Sequence, residues 1–172
     1  HSDLSVGLIA SAPGLKIAAD EEALPFADAS LDLVVSGLAL HLVNDLPGTL
    51  LQIRRALRPD GLLLAALLGG DTLTELRQSF LEAEAEVSGG ASPRVAPFAD
   101  VRDLGALMQR AGLALPVADS ERVTVTYADP LALVRELRAM GMSNMLAERR
   151  RVPMTRTLLF RALEIYQRRF AL

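Results

Sequence analysis

The chain of 172 residues contains no cysteine and no tryptophan, only two histidines (His1 and His41), and aromatic residues at 4%. Each shortage removes a class of protein. Without cysteine there is no disulfide scaffold, no thiolate metal site and no cysteine nucleophile. With His41 the one internal histidine, a histidine-rich metal site and a conventional Ser-His-Asp triad are nearly excluded as well. The charge is not strongly of one sign: the formal net charge is -3, which points away from nucleic acid and anionic membrane as main partners. No apolar run approaches the roughly 18 residues that span a bilayer, and the longest, around Leu62–Leu68, is strand-sized. The first residues lack a basic start followed by a long apolar stretch, so no signal peptide is expected and cytoplasmic residence is the default. What is abundant is Leu and Ala within a 51% hydrophobic composition, which excludes disorder and favours aliphatic helix–sheet packing.

Three short apolar runs read as strands covered on both faces, as in parallel sheets. They are Leu15–Ala19, Leu31–Val35 and Leu62–Leu68. Arg58-Pro59-Asp60-Gly61 is expected to stop a helix and turn the chain into the third. Helical periodicity lies between and after them. Leu46, Leu50, Ile53 and Leu57 share one face; Leu73, Leu76, Phe80, Ala83 and Val87 share another, with Asp71 as expected cap and Gly89-Gly90 as stop. Asp100 opens a helix that Gly112 ends, Asp129-Pro130 opens the next, and Thr155–Phe170 forms the last. Val123–Tyr127 alternates and is β-branched, which predicts a fourth strand. The order implies an α/β fold with a mostly parallel sheet. Ser88–Pro97 is the longest irregular stretch, a candidate mobile lid.

In such sheets ligands bind beyond the carboxyl ends of the strands. Asp20-Glu21-Glu22 follows the first run, Ser36-Gly37-Leu38 and then His41 the second, Gly69-Gly70-Asp71-Thr72 the third. An acid at a strand end can accept hydrogen bonds from an adenine amino group or ribose hydroxyls, and small residues let a ligand approach the backbone. The pattern suits a nucleoside-containing ligand without many phosphates. Each residue also has a plainer reading: Asp20 as a solvated strand-end acid, His41 as a packing histidine, Gly69-Gly70 as a turn, Arg149-Arg150-Arg151 as a solvated face, the methionines Met140, Met142 and Met145 as core or lid packing. For Tyr127 and Asn144, sequence alone gives no sign of substrate contact.

ADEEALPF (Ala19–Phe26), LDLVVSGLALHLVNDLP (Leu31–Pro47) and LRPDGLLLAALLGGDTL (Leu57–Leu73) resemble consecutive segments of class I S-adenosylmethionine (SAM)-dependent methyltransferases. GGDTLTELR (Gly69–Arg77), SPRVAPFADVRDLG (Ser92–Gly105) and GMSN (Gly141–Asn144) resemble more closely the branch of the complex I assembly-factor hydroxylase, itself similar to the malonyl-carrier-protein methyltransferase of biotin synthesis. The resemblance implies a Rossmann-like sheet with helices on both faces, forming a single domain over residues 1–172. It implies SAM as cofactor, with Asp3 at the position that binds ribose hydroxyls, Asp20 at the adenine amino group and Glu21 contributing a backbone N–H. Ser36 would lie beside the methionine part, and Leu38 and His41 would shape the transfer pocket. It also implies that the family's first strand and GxGxG-type loop belong before Asp3 and its last strand after Phe170. The domain is therefore expected to be incomplete at both ends, with an exposed edge and apolar face that favour pairing between copies or domain swapping. The expected partner is a protein or carrier-protein substrate. Three activities follow from the resemblance: methyl transfer to a protein side chain or carrier-bound acyl group, non-catalytic scaffolding, or arginine hydroxylation of a respiratory-complex subunit. No catalytic residue and no metal ligand is assigned. The Ala/Arg/Leu-rich usage suggests a high-GC bacterium.

Overall fold

The computed structural model describes residues 1–90, 92–142, 144, 149 and 152–170. The architecture is α/β, and the chain divides into two compact units. The first comprises His1–Gly70 and Ala99–Ser120, the second 71–98 with 121–172.

The first unit is built from two parallel strand pairs. Strand β1 (Ser2–Asp3) leads through helix α1 (Val6–Ala10) to β2 (Ile17–Ala18), and β1 pairs with β2. Strand β3 (Leu31–Gly37) leads through a short 3-10 turn (Leu40–Leu42) and helix α2 (Leu46–Ala56) to β4 (Leu57–Ala66), its parallel partner. A parallel pair needs such a crossover, because both strands must be entered from the same end. Helix α2 starts where the sequence dictates: Asp45 accepts a hydrogen bond from the Gly48 N–H at 2.9 Å, and Pro47 sits in the first turn, where its missing donor costs nothing. Gly48 is required there, since a Cβ would collide with the Asp45 carboxylate.

The apolar face of α2 packs on the sheet. Leu40, Ile53 and Leu57 are buried, with Val34, Leu63 and Leu113 packed against them. Leu50 is 1% exposed, and burying a side chain of that kind contributes about 1.5–3 kcal/mol. The alternate side chains of the same strands, Leu33, Val35, Leu62 and Leu64, are exposed and form a continuous aliphatic face, since Leu33 pairs with Leu62 and Val35 with Leu64. Helix α4 (Val101–Arg110) completes the unit, capped by the Asp100 carboxylate on the Arg102 N–H and ended by Gly112 at φ 78°.

The second unit is a helical cluster of α3 (Thr74–Ser88), α5 (Pro130–Ala139) and α6 (Arg156–Phe170). Leu76, Phe80, Ala83, Leu133, Leu158, Ala162 and Ile165 form its core. Outside that core, Arg161 bridges Glu86 and Glu164, and Glu82 receives Arg168 and Arg169.

Several expectations require correction. Residues 123–127 form no strand: no strand among the described residues lies beside them to complete a ladder, Val123 and Val125 are exposed, and Tyr127 packs on the helical core instead. Alternation specifies a strand only where a partner supplies hydrogen bonds. Asp71 does not cap α3. The residue before that helix is Leu73, left-handed at φ 56° and without a side-chain cap, while the Asp71 carboxylate pairs with Arg122 at 2.7 Å. The third strand begins at Leu57 and not Leu62, so Arg58-Pro59-Asp60-Gly61 forms an irregularity within β4, with Asp60 at φ 63°. The candidate lid is held down. Ser92 and Arg94 both bond the Glu84 carboxylate, and the Asn144 side chain donates to the Pro93 carbonyl at 2.7 Å. Of the residues singled out earlier, Ala91, Ser143, Met145, Arg150 and Arg151 lie outside the described residues.

Candidate functional site at the strand ends

The candidate site residues lie at the carboxyl ends of the parallel strands of the first unit. Asp3 closes β1 and pairs with Ala18, and the Ala19 N–H donates to the Asp3 carbonyl, so Asp3 and the Asp20 turn stand at the same end of one strand pair. Asp3 Oδ1 accepts from the Ser5 N–H at 2.7 Å, which fixes the carboxylate at the mouth of α1. Asp20 is exposed; its Oδ1 accepts from the Glu22 N–H at 2.9 Å, and the Ala23 N–H closes the turn on the Asp20 carbonyl. Glu21 is partly exposed in the same turn. These local bonds are what aspartate at a turn entry supplies, because its short side chain reaches the backbone two residues on.

Ser36 and Gly37 end β3. The Ser36 Oγ is buried and has no hydrogen-bond partner among the described residues, an arrangement that costs free energy unless a ligand or water answers it. A Cβ placed on Gly37 would meet nothing within 4 Å, so the backbone there is approachable. Leu38 follows at φ 56°, a left-handed conformation that a leucine adopts only when its surroundings impose it; its N–H is tied to the Ala66 carbonyl at 2.9 Å and its side chain is exposed. His41 sits in the 3-10 turn, and burial pushes its imidazole below the ordinary 6.5, which keeps it neutral at pH 7.

Gln52 and Asn44 escaped the sequence reading, as did the contacts that Glu22 makes with them. Glu22 accepts the Asp45 N–H at 2.6 Å, and Gln52 of α2 holds the Glu22 carbonyl and the Leu24 N–H. Asn44 reaches the Glu22 carboxylate at 3.5 Å. Nothing local announces these contacts, which join positions up to 30 residues apart. Gly69 and Gly70 are not left-handed; the Gly70 N–H donates to the Ala99 carbonyl. In the second unit Tyr127 is engaged by Glu136, a hydrogen bond that raises its phenol above 10. Among the described residues no group of three or more His, Asp or Glu could hold a metal ion, and no helix is long and apolar enough to cross a membrane.

The parallel strands of the first unit thus end in an acidic turn, an unanswered hydroxyl and open backbone. Residues 2–65 match the family model described as a methyltransferase domain. Residues 2–65 thus carry a methyltransferase-like domain. Over 132 residues it is 49% identical to the mitochondrial arginine-hydroxylase NDUFAF5 of Mus musculus, covering 77% of this chain and 38% of that protein. Over 154 residues it is 40% identical to the malonyl-[acyl-carrier protein] O-methyltransferase of Gallionella capsiferriformans, covering 90% of this chain and 51% of that one. The chain thus spans about half, or less, of the length of these curated relatives. A solved putative methyltransferase from Bacillus halodurans overlays on 64% of this chain and 51% of its own at 16% identity, with a TM-score of 0.48.

Proposed function

We propose that the methyltransferase-like domain binds SAM at the strand ends of the first unit and transfers its methyl group to a protein side chain or a carrier-bound acyl group. The observation that carries this reading is the pairing of the Ser36 hydroxyl, buried and unanswered, with the open backbone at Gly37. A ligand edge laid along the end of β3 would satisfy that hydroxyl, and a side chain at Gly37 would obstruct it. The residues therefore fit the cofactor. When bound, SAM supplies an electrophilic methyl on its sulfonium, so the protein's task is proximity and alignment. Asp20 would accept hydrogen bonds from the adenine amino group, Asp3 from the ribose hydroxyls, and the backbone at Glu21 would donate to the base. Leu38, held in its strained conformation, would wall the transfer pocket. His41, in the 3-10 turn beyond β3, would shape the same pocket.

Isothermal titration of S-adenosylhomocysteine into the full-length protein tests the reading. Binding in the wild type, lost by at least about tenfold in Asp20→Ala, a change equivalent to one charge-assisted hydrogen bond, is the expected result. No heat at millimolar ligand overturns it.

The identity to a protein named an arginine-hydroxylase favours a second reading, hydroxylation of a protein arginine. That chemistry needs an oxidant and a metal or other redox partner. Mass analysis of a modified protein substrate separates the two, since methylation adds a methylene and hydroxylation an oxygen atom. An unchanged substrate that co-purifies with the protein marks a scaffold.

A further inference from the structure

The turn that follows β2 and the segment that follows the 3-10 turn are distant in sequence, yet two side-chain hydrogen bonds join them directly and two more tie the turn to α2. Glu22 reaches forward: its Oε1 accepts the Asp45 N–H at 2.6 Å and its Oε2 accepts from the Asn44 amide at 3.5 Å. Gln52 reaches back from α2: its Nε2 donates to the Glu22 carbonyl at 2.8 Å and its Oε1 accepts the Leu24 N–H at 2.9 Å. A side-chain amide carries a donor and an acceptor side by side, so it can bond a stretch of backbone as a neighbouring strand would. Glutamate keeps only the acceptor, and leucine neither. Asp45, gripped by Glu22, is also the residue that caps α2, the helix from which Gln52 projects. The connections therefore close on themselves, from the Asp20 turn to Glu22, to Asp45, along α2 to Gln52, and back to Leu24.

We infer that Glu22 and Gln52 are positioning residues that lock the Asp20 turn and the His41–Asp45 segment into one piece. Neither side chain is required to touch a ligand. In terms of the proposed function, on which this role rests, the lock fixes the acid that receives the nucleoside relative to the histidine at the other margin of the site. Of the four bonds, the two made by Gln52 use only neutral amide and backbone groups and the two made by Glu22 use its carboxylate, and none of the four draws on the exposed Asp20 carboxylate.

The test uses the full-length protein with Gln52→Leu, Gln52→Glu and Glu22→Gln. Two measurements are made: amide hydrogen exchange without ligand, and affinity for S-adenosylhomocysteine and for 5′-methylthioadenosine, which lacks the amino-acid portion. In Gln52→Leu the exchange of Leu24 and Asp45 should accelerate together while Leu50 and Ile53 in α2 keep their protection. Affinity for both nucleosides should fall by the same factor, about tenfold for two lost hydrogen bonds. Gln52→Glu should fall between wild type and Gln52→Leu, and Glu22→Gln should release Asp45 with a smaller loss of affinity. Faster exchange at Leu24 alone overturns the inference, as does unchanged nucleoside affinity, or a loss that follows exchange throughout α2, which marks a merely structural role. If the wild type binds neither nucleoside, the proposed function fails and exchange alone decides the lock: coupled release of Leu24 and Asp45 supports it, and uncoupled release overturns it.

Discussion

Each compact unit pins a loop with a side chain from a neighbouring helix, and the two do so by opposite means. In the first unit Gln52 of α2 holds the 22–24 turn with a neutral amide. In the second, Glu84 of α3 is wholly buried and holds the loop at Ser92 and Arg94, with its oxygens on the Ser92 hydroxyl at 2.7 and 2.8 Å and on the Arg94 guanidinium at 2.6 Å. A neutral brace is cheap to bury because it carries no charge to desolvate. A buried ion pair consumes its charges on itself, because the cost of desolvating both is met only by their contact. The two units differ accordingly: Asp20 in the first is exposed, with a single backbone N–H on its carboxylate, whereas Glu84 in the second is buried and engaged in holding the chain.

The comparison can be broken most sharply at Arg94. Arg94→Ala removes an ion-pair partner from the buried Glu84 carboxylate, and urea unfolding should show a loss of about 3–5 kcal/mol. A Gln52→Ala variant, which strands only neutral groups, should lose about 1–3 kcal/mol. Equal losses would erase the distinction between the two braces.

Acid sharpens the same contrast. Burial alone would raise the Glu84 pKa, but hydrogen bonds from Ser92 and Arg94 outweigh it and hold the group below its ordinary 4.5. A group lowered on folding contributes stability that is complete above its unfolded value and is lost as the pH falls through its folded one. Urea midpoints should therefore drop as the solution is taken below pH 4.5, and Glu84→Gln should flatten that dependence.

Gly48→Ala tests the base of the first brace, since the added Cβ displaces the Asp45 carboxylate from its cap. Thermal unfolding should report a loss of about 0.5–2 kcal/mol. The smallest effect belongs to the exposed pair Arg58–Asp32. Asp32→Asn should change stability by less than about 1 kcal/mol, and less still in high salt.

Much of the fold was legible in the sequence because it is written locally. The starts of α4 and α5 follow from Asp100 and Asp129, each bonding a backbone N–H two residues on, and the end of α3 from a left-handed Gly89. Strand β3 was readable from a continuous apolar run. What failed needed knowledge of neighbours. Val123–Tyr127 has strand chemistry without a strand beside it, and Asp71 resembles a cap but bonds Arg122, 51 residues away. The candidate site divides the same way: Asp20, Ser36 and Leu38 were visible as strand-end residues, whereas Gln52 looked like an ordinary polar position on a helix whose partners only the fold reveals.

The irregularity at the start of β4 has a consequence of its own. Leu31 pairs with Leu57 but Leu33 with Leu62, so two steps along β3 correspond to five along β4. That odd offset acts as a phase shifter, deciding which of the following residues turn toward α2. The side chains themselves could not decide it, because Leu62, Leu63 and Leu64 are identical and a slip of one position would exchange leucine for leucine. The information resides in the backbone, at Asp60 with its left-handed φ and at Gly61, where a Cβ would press on the Arg58 carbonyl at 3.0 Å. Four residues of turn thus set the parity of a strand whose sequence is degenerate, and with it the placement of Ala65 and Ala66 beside Ser36 and Gly37.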